Sequence, residues 1–308
     1  MEIALQFVLL ALGFVMLGKG ADWFVEGAAG IAMRFGIPQL VIGLTIVAMG
    51  TSAPEAAVSI AAAVKGNADI TIGNILGSNI LNILVILGLA ASIVPIAVAR
   101  STVRIEIPFM IGVTALLFYQ GRDGSISLVD GGVLMVAFAV YMMYLYTMAM
   151  KSNVDSDLEE PGLPLGRCLL GAVGGLALII AGSNVTVGAA TSIATYAGLS
   201  ERFIGLTIVA LGTSLPELFT SVAAARRGNA DIAIGNIVGS NIFNILFVVG
   251  LSSLIIDIPF ASAFNFDTYV ALGAAVLLLL CVLRTQRLQR WAGALMLVCY
   301  AAYLGYIL

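Results

Sequence analysis

The strongest constraint on this chain is an internal repeat of polar residues inside apolar segments. Residues 43–90 align with residues 205–252 without a gap, and 33 of the 48 aligned positions are identical. The motif GTSAPE at 50–55 returns as GTSLPE at 212–217, and a second motif, GNILGSNILNIL, returns as GNIVGSNIFNIL. Self-similarity of this kind indicates two copies of one structural unit.

The composition says where such a repeat can fold. Of the 308 residues, 61% are apolar and 10% are charged, and the mean hydropathy is +1.09. A water-soluble domain could not expose so much apolar surface, so the chain is predicted to be an all-α integral membrane protein of the cell (inner or plasma) membrane, crossing it many times. Lipid is its surrounding partner, and nothing in the sequence indicates nucleic acid or an obligatory protein partner.

Ten apolar runs are long enough to span a bilayer. They fall at 3–30, 38–64, 70–92, 105–119, 127–150, 168–195, 203–225, 231–254, 268–284 and 291–307. The solvated stretch 151–167 divides one transmembrane domain, 1–308, into a first repeat, 1–150, and a second repeat, 168–308, with five helices each. An odd number of spans per repeat inverts the second copy relative to the first, as in many secondary transporters.

Lys and Arg set the expected orientation. With the N-terminus outside, eleven basic residues fall on the inner side and three on the outer side, Lys65, Arg122 and Arg202. The sequence therefore predicts that both termini are outside.

Each repeat carries one glutamate behind a helix-breaking proline. An ionisable side chain at membrane depth costs about 2.5–3.5 kcal/mol, which makes Glu55 and Glu217 candidates for a functional site. Pro54 is expected to break its helix near Gly50 and to leave the carbonyls from Ala48 to Gly50 unpaired, because proline has no N–H. The same is expected of Ala210 to Gly212 in the second repeat.

The side chains around these breaks offer oxygen atoms only. The first repeat supplies Thr51, Ser52, Glu55, Ser78 and Asn82, and the second supplies Thr213, Ser214, Glu217, Ser240 and Asn244, with the carbonyls of Ala48 and Ala210. Such oxygens suit hard cations, and they are numerous enough for the roughly six to eight oxygen ligands that Ca²⁺ prefers. Zinc, copper and iron favour nitrogen or sulfur ligands instead. The sequence thus predicts a site for metal cations, without a cofactor or catalytic residue.

Other polar residues are assigned to helix ends and helix packing. Those expected to be N-caps rather than ligands are Asn67, Asp69, Asn229 and Asp231. The carboxylates expected at the water boundary are Glu26, Glu106 and Asp130. Asn74 and Asn236 stay unassigned. Two G-x-x-x-G pairs, Gly73 with Gly77 and Gly235 with Gly239, are expected to bring helix backbones close together.

With its paired G-T-S-x-P-E and G-S-N-x-x-N motifs, the chain resembles the sodium/calcium exchanger family of the cation/calcium antiporter superfamily, in its prokaryotic form. The likeness covers essentially the whole chain. It implies that Na⁺ and Ca²⁺ are the transported ions and that the oxygen-bearing residues named above form their binding sites. It also implies that the first helix of each repeat slides as a gate past the core formed by helices 2, 3, 7 and 8.

One position departs from part of that family. Some relatives, including potassium-dependent ones, have aspartate where this chain has Asn244, so two carboxylates face the ions instead of three. If three Na⁺ exchange for one Ca²⁺, as the resemblance implies, each cycle moves one net charge. We therefore expect a potassium-independent, electrogenic antiporter.

Two alternative functions would also use residues of these motifs. A proton-coupled calcium or other cation antiporter would use the same carboxylates, although that branch typically has a G-N-A-x-E signature, and GNADI here carries aspartate one place early. An intramembrane protease using Ser52 or Ser214 would need a base. The chain contains no histidine, and neither motif contains a lysine. We therefore expect that the protein is not an enzyme.

Overall fold

The computed structural model describes residues 2–66, 69–152, 163–198 and 210–307. The helices of the first half are α1 (Glu2–Phe35), α2 (Gln39–Thr51), α3 (Ala53–Val64), α4 (Ile70–Ile93), α5 (Thr102–Asp123) and α6 (Leu128–Ser152). Those of the second half are α7 (Leu165–Tyr196), α8 (Ala210–Thr213), α9 (Leu215–Arg226), α10 (Ala230–Ile255), α11 (Phe264–Val282) and α12 (Arg290–Ile307). Asn67, Arg202 and most of the expected linker lie outside the described residues.

The described helices confirm an all-helical membrane protein. Eight are long and apolar enough to cross a bilayer, and α2 with α3, bent by 51° where they meet, together form a ninth candidate span. The expected span 203–225 begins outside the described residues and is seen only from α8 onward. The count of ten spans and the inverted arrangement therefore stay predictions.

Within the described residues, four two-residue strands link the two halves at the helix ends. β1 (Ile96–Ala97) pairs antiparallel with β4 (Arg287–Leu288). β2 (Ser125–Ile126) pairs antiparallel with β3 (Ile258–Pro259). In each pair, a connection from the first half is hydrogen-bonded to a connection from the second half, which fixes the helix ends relative to one another.

The two helices that carry the G-S-N motifs form the centre of the bundle. In its most apolar window, α10 is 94% buried and α4 is 78% buried, whereas the corresponding windows of α1 and α12 are 17% buried. Lipid solvates apolar side chains as well as a protein interior does, so purely apolar helices can occupy the outside. Helices with amide and hydroxyl side chains are placed inside, where those groups find partners.

The sequence predicts a helix break near Gly50, and in the structure the helix breaks at Ser52, two residues later. Ser52 ends α2 with a ψ of 6°, and Pro54 stands in the first turn of α3. Ser214 separates α8 from α9 in the same way, with Pro216 in the first turn. Proline is well accommodated there because the first N–H groups of a helix have no partner within it.

The G-x-x-x-G pair of α10 packs directly on α2, as expected. A Cβ added at Gly239 would lie 2.8 Å from the carbonyl oxygen of Leu44, and one at Gly235 would lie 3.1 Å from the Cα of Gly43. For the pair in α4, the counterpart of this part of α2 is residues 205–209, which lie outside the described residues. Close approach at Gly73 and Gly77 therefore stays a prediction.

Helices α1 and α7 form a second tightly packed pair. Their facing glycines are Gly13, Gly20 and Gly27 on α1 and Gly171, Gly175 and Gly182 on α7. A Cβ added at Gly175 would lie 2.5 Å from the backbone nitrogen of Phe24 and 2.7 Å from the carbonyl oxygen of Gly20. Only glycine permits this contact between backbones, and the two helices are thereby joined as one unit.

Valine at Gly175 should separate α1 from α7 and destabilise the protein by about 1–3 kcal/mol, the usual cost of overpacking. A matched control is Gly174→Val, because a Cβ at Gly174 would meet no described atom within 4 Å. Thermal unfolding in detergent measures both variants. Equal melting temperatures for the two variants would contradict the packing described here.

Candidate cation site

The two repeated motifs meet in one buried polar cluster at the centre of the bundle. Glu55 and Glu217 each expose 1% of their surface. The other buried members of the expected set are Ala48, Thr51, Ser52, Ser78, Asn82, Ser214, Ser240 and Asn244. Thr213 is half-buried, and the backbone of Ala210 begins α8. Hydrogen bonds join members of this set from opposite halves, namely Ser52 with Glu217, Ser214 with Glu55, and Ser240 with Ala48.

The two glutamates are held by serines of the opposite repeat. Ser52 Oγ donates a hydrogen bond of 2.8 Å to Oε1 of Glu217. Ser214 Oγ donates one of 3.2 Å to Oε1 of Glu55. Each glutamate also lies in the first turn of its helix, where the positive end of the helix dipole favours a negative charge. Neither repeat completes its own carboxylate environment.

Four oxygen atoms in this cluster accept no hydrogen bond. All four are buried and have no hydrogen-bond partner within the part of the chain that the structure describes. They are Oε2 of Glu55, Oε2 of Glu217, Oδ1 of Asn82 and Oδ1 of Asn244. All four are acceptors, one carboxylate and one amide oxygen from each repeat. A buried acceptor oxygen without a donor is unfavourable, whereas a bound cation would satisfy such an oxygen.

A network of asparagines fixes the orientation of the two amide oxygens. Asn82 Nδ2 donates to Oδ1 of Asn241 at 2.9 Å, and Asn244 Nδ2 donates to Oδ1 of Asn79 at 3.1 Å. Asn79 and Asn241 in turn donate to each other's backbone carbonyls, at 3.2 and 3.1 Å. Because their amide nitrogens are held in this way, the amide oxygens of Asn82 and Asn244 are left available. Each of these two residues also begins a π-helical segment.

A second pair of asparagines braces the helices behind the glutamates. Asn74 Nδ2 donates to Oγ of Ser59 at 3.0 Å, and Asn236 Nδ2 donates to Oγ of Ser221 at 2.9 Å. The Thr51 hydroxyl donates to Oδ1 of Asn236 at 3.0 Å, which links α2 to α10. Asn74 and Asn236 are therefore structural braces in this conformation.

These bracing residues were not selected from the sequence. The overlooked set comprises Ser59, Asn79, Ser221 and Asn241, together with the unassigned Asn74 and Asn236. The signal that could have found them is the repeat itself, because each of these polar residues recurs at the equivalent position of the other copy.

The expectation that the carbonyls near the breaks are unpaired was wrong at two positions. The Ala48 carbonyl accepts hydrogen bonds from the Ser52 backbone N–H at 3.0 Å and from Ser240 Oγ at 3.3 Å. The Gly212 carbonyl accepts one of 2.7 Å from Ser183 Oγ on α7. Helix α2 continues to Thr51, one residue beyond Gly50, and hydroxyls from other helices supply the remaining donors.

One further expectation from the sequence was wrong. Glu106 is fully buried and accepts a hydrogen bond from the Tyr144 hydroxyl, so it does not lie at the water boundary. Asn229 does hold the N-cap position of α10, as expected, although its side chain makes no capping hydrogen bond to that helix. Glu26 does lie at the surface, where it pairs with Arg227 at 3.2 Å.

Comparison with known proteins agrees with this arrangement. The family model described as sodium/calcium exchanger protein matches residues 5–147 and 168–308, which covers both repeats. The chain belongs to the sodium/calcium exchanger family. The putative antiporter CaxA of Alkalimonas amylolytica is 41% identical over 98% of each chain. The inner membrane protein YrbG of Escherichia coli (strain K12) is 39% identical, over 94% of this chain and 92% of its own.

The fold is also that of a solved exchanger. The structure of the sodium-calcium exchanger NCX_Mj superposes with a TM-score of 0.87 at 33% sequence identity, covering 99% of this chain and 100% of that one. Sodium/calcium exchangers are transporters, and family membership supports cation/calcium antiport as the activity of this chain. The apolar helices and the inner-membrane relative make it a multi-pass protein of the cell membrane.

The unpartnered carboxylate oxygens lead to a prediction about calcium. Calcium should raise the melting temperature of the unsubstituted protein, because a ligand at 100 times its Kd stabilises by about 2.7 kcal/mol. Glu55→Gln and Glu217→Gln should each lose most of this rise. Without calcium, both variants should be at least as stable as the parent, because an amide replaces a buried charge.

Thermal unfolding in detergent, with and without calcium chloride, measures these effects. Asp257→Asn serves as the control, because it removes an exposed carboxylate outside the site and should keep the full rise. A full calcium-dependent rise in either glutamine variant would mean that these carboxylates are not the calcium ligands.

Proposed function

We propose that the chain is a secondary active antiporter that exchanges Na⁺ for Ca²⁺ across the cell membrane by alternating access. The observation that carries this proposal is the set of four buried acceptor oxygens on Glu55, Glu217, Asn82 and Asn244. We assign the ions to these residues together with the hydroxyls and carbonyls of Ala48, Thr51, Ser52, Ser78, Ala210, Thr213, Ser214 and Ser240. These oxygens suit hard cations and need no cofactor.

The charge of the site supports electrogenic exchange. Two carboxylates face the cluster, and the ion pairs among the described residues are those that Arg227 makes with Asp22 and Glu26, away from it. One Ca²⁺ is neutralised by two carboxylates, whereas three Na⁺ leave one positive charge over. At Asn244 the side chain is a neutral amide, so it supplies no third charge for a potassium ion.

A moving gate would be formed by α1 and α7. Their glycine contacts join them as one peripheral unit, and α7 reaches the core through the hydrogen bond from Ser183 to the Gly212 carbonyl. Arg227, which follows α9, bridges to Asp22 and Glu26 on α1, each at 3.2 Å. Sliding of the pair would exchange these few polar contacts while the asparagine network stays fixed. We further propose ten helices in two inverted repeats, with both termini outside.

Reconstituted vesicles test the coupling ion. Vesicles loaded with sodium and diluted into choline medium, with potassium absent on both sides, should take up calcium. Glu55→Gln and Glu217→Gln should abolish the uptake, and Asp257→Asn should retain it. Uptake that required potassium would overturn potassium independence. Uptake that required a proton gradient in place of sodium would indicate a proton-coupled antiporter acting through the same carboxylates.

Membrane potential tests the stoichiometry. During calcium uptake, three Na⁺ leave for each Ca²⁺ that enters, so one positive charge moves outward per cycle. An interior made positive by valinomycin and external potassium should therefore accelerate uptake. One charge is worth about 2.3 kcal/mol per 100 mV, roughly a 50-fold change in the equilibrium calcium ratio. A ratio that did not change with potential would mean electroneutral exchange.

A further inference from the structure

A third buried carboxylate, that of Glu106, lies outside the central cluster. Glu106 ends the π-helical segment Thr102–Glu106 at the start of α5 and has none of its surface exposed. The Tyr144 hydroxyl of α6 donates a hydrogen bond to its Oε1. Its other oxygen, Oε2, is buried and has no partner among the described residues.

Two hydroxyl groups beside Glu106 are in the same condition. Thr102 Oγ1 and the Tyr141 hydroxyl are buried and without a hydrogen-bond partner in the described part of the chain. The Thr102 side chain faces the carboxylate from the preceding turn of α5, and Tyr141 faces it from α6. Both hydroxyl groups thus lie beside a carboxylate whose second oxygen is also buried and without a partner among the described residues. Unpartnered polar atoms are unfavourable in such surroundings.

Aromatic side chains surround Glu106 and lie between it and the central cation site. Phe109 stacks on the Tyr141 ring with centroids 5.3 Å apart. One turn away on α6, Phe138 packs against Phe243 and Phe247 of α10, at 6.1 and 5.3 Å. The cluster formed by Thr102, Glu106, Tyr141 and Tyr144 is therefore walled by aromatic rings, and within the described part of the chain it shares no hydrogen bond with Glu55 or Glu217.

No basic side chain in the described structure pairs with Glu106. Arg100 and Arg104, the nearest in sequence, are exposed. The titratable groups that face the carboxylate are Tyr141 and Tyr144 of α6. The titratable groups on the other helices packed against α5 lie elsewhere. On α11, Tyr269 packs against Phe118, Asp267 accepts a hydrogen bond from Tyr303, and Cys281 faces Cys299. On α10, Asp231 lies in the first turn of the helix. An ionised Glu106 would therefore be an uncompensated buried charge.

We propose that the cluster of Thr102, Glu106, Tyr141 and Tyr144 is a second binding site, which holds one monovalent cation on Oε2 of Glu106 beside the hydroxyls of Thr102 and Tyr141. The cation is a proton or Na⁺, since either neutralises a single carboxylate. A proton on Oε2 would be donated to one of the two hydroxyl oxygens, and Na⁺ would accept lone pairs from all three. This site is independent of the Na⁺/Ca²⁺ exchange proposed above.

The test uses the full chain carrying Glu55→Gln and Glu217→Gln, so that the central carboxylates contribute nothing. Its melting temperature in detergent should rise by about 1–2 °C, the shift that roughly 1 kcal/mol gives in a chain of 308 residues at an unfolding entropy of about 2.1 cal/mol/K per residue. A rise with NaCl over choline chloride at constant pH identifies Na⁺. A rise on acidification in choline, with no effect of NaCl, identifies the proton.

Adding Glu106→Gln should remove that rise, whichever cation causes it. Tyr141→Phe and Thr102→Val keep the carboxylate and should each increase the cation concentration needed for half of the effect by about 3–10-fold, the loss expected for one hydroxyl contact. Adding Asp257→Asn instead, outside both sites, should leave the rise unchanged. If the Glu106→Gln protein does not fold, the Tyr141→Phe and Thr102→Val shifts decide.

Three results would overturn the proposal. The first is a melting temperature that neither cation raises in the Glu55→Gln, Glu217→Gln protein. The second is an equal rise in melting temperature after Glu106→Gln is added. The third is an unchanged cation concentration for half of the rise in both Tyr141→Phe and Thr102→Val. A merely structural role for Glu106 would change the melting temperature at every cation concentration but not its dependence on cation. Because transport is not measured, failure here leaves the exchange proposal standing, and failure of exchange leaves this site standing.

Discussion

The crossed hydrogen bonds between Ser52 and Glu217 and between Ser214 and Glu55 are the interaction on which the centre of this protein depends. Two carboxylates buried at one place in an apolar bundle repel each other and lose their hydration. Their surroundings offset part of this cost through serine donors and through the first turns of α3 and α9. Each donor comes from the other repeat, so a stable site requires both halves.

The asparagine network extends the same dependence outward from the carboxylates. Asn79 and Asn241 bond to each other's backbone and also hold the amide nitrogens of Asn82 and Asn244. The polar groups that could collapse onto one another are thereby used in bracing α4 against α10. What remains unpartnered is a set of acceptor oxygens in fixed positions, which is the property that a cation site requires and that an ordinary packed core avoids.

The periphery follows different physics from the centre. Helices α1 and α7 associate through glycines, with backbones in contact, and touch the core through few polar groups such as Ser183. Weakly attached, internally rigid elements are the parts of a protein that can move as units. Glu106 shows a third situation, a carboxylate enclosed by tyrosines and phenylalanines at the contact of α5 with α6. The three regions differ in the groups that make contact: polar oxygen and nitrogen atoms in the central cluster, helix backbones between α1 and α7, and aromatic rings around Glu106.

The sequence by itself determined the membrane class, the two-fold repeat and the residues of the central cluster. It could do so because a glutamate, such as Glu55, is costly within an apolar run and is therefore conspicuous there. Tertiary structure alone decided the partners: Ser240 for the Ala48 carbonyl, Ser183 for the Gly212 carbonyl and Tyr144 for Glu106. In helices that are apolar nearly all round, periodicity does not reveal which face turns inward. Burial of a polar residue near a helix end then depends on which neighbouring helix packs over it, and only the packed bundle fixes that.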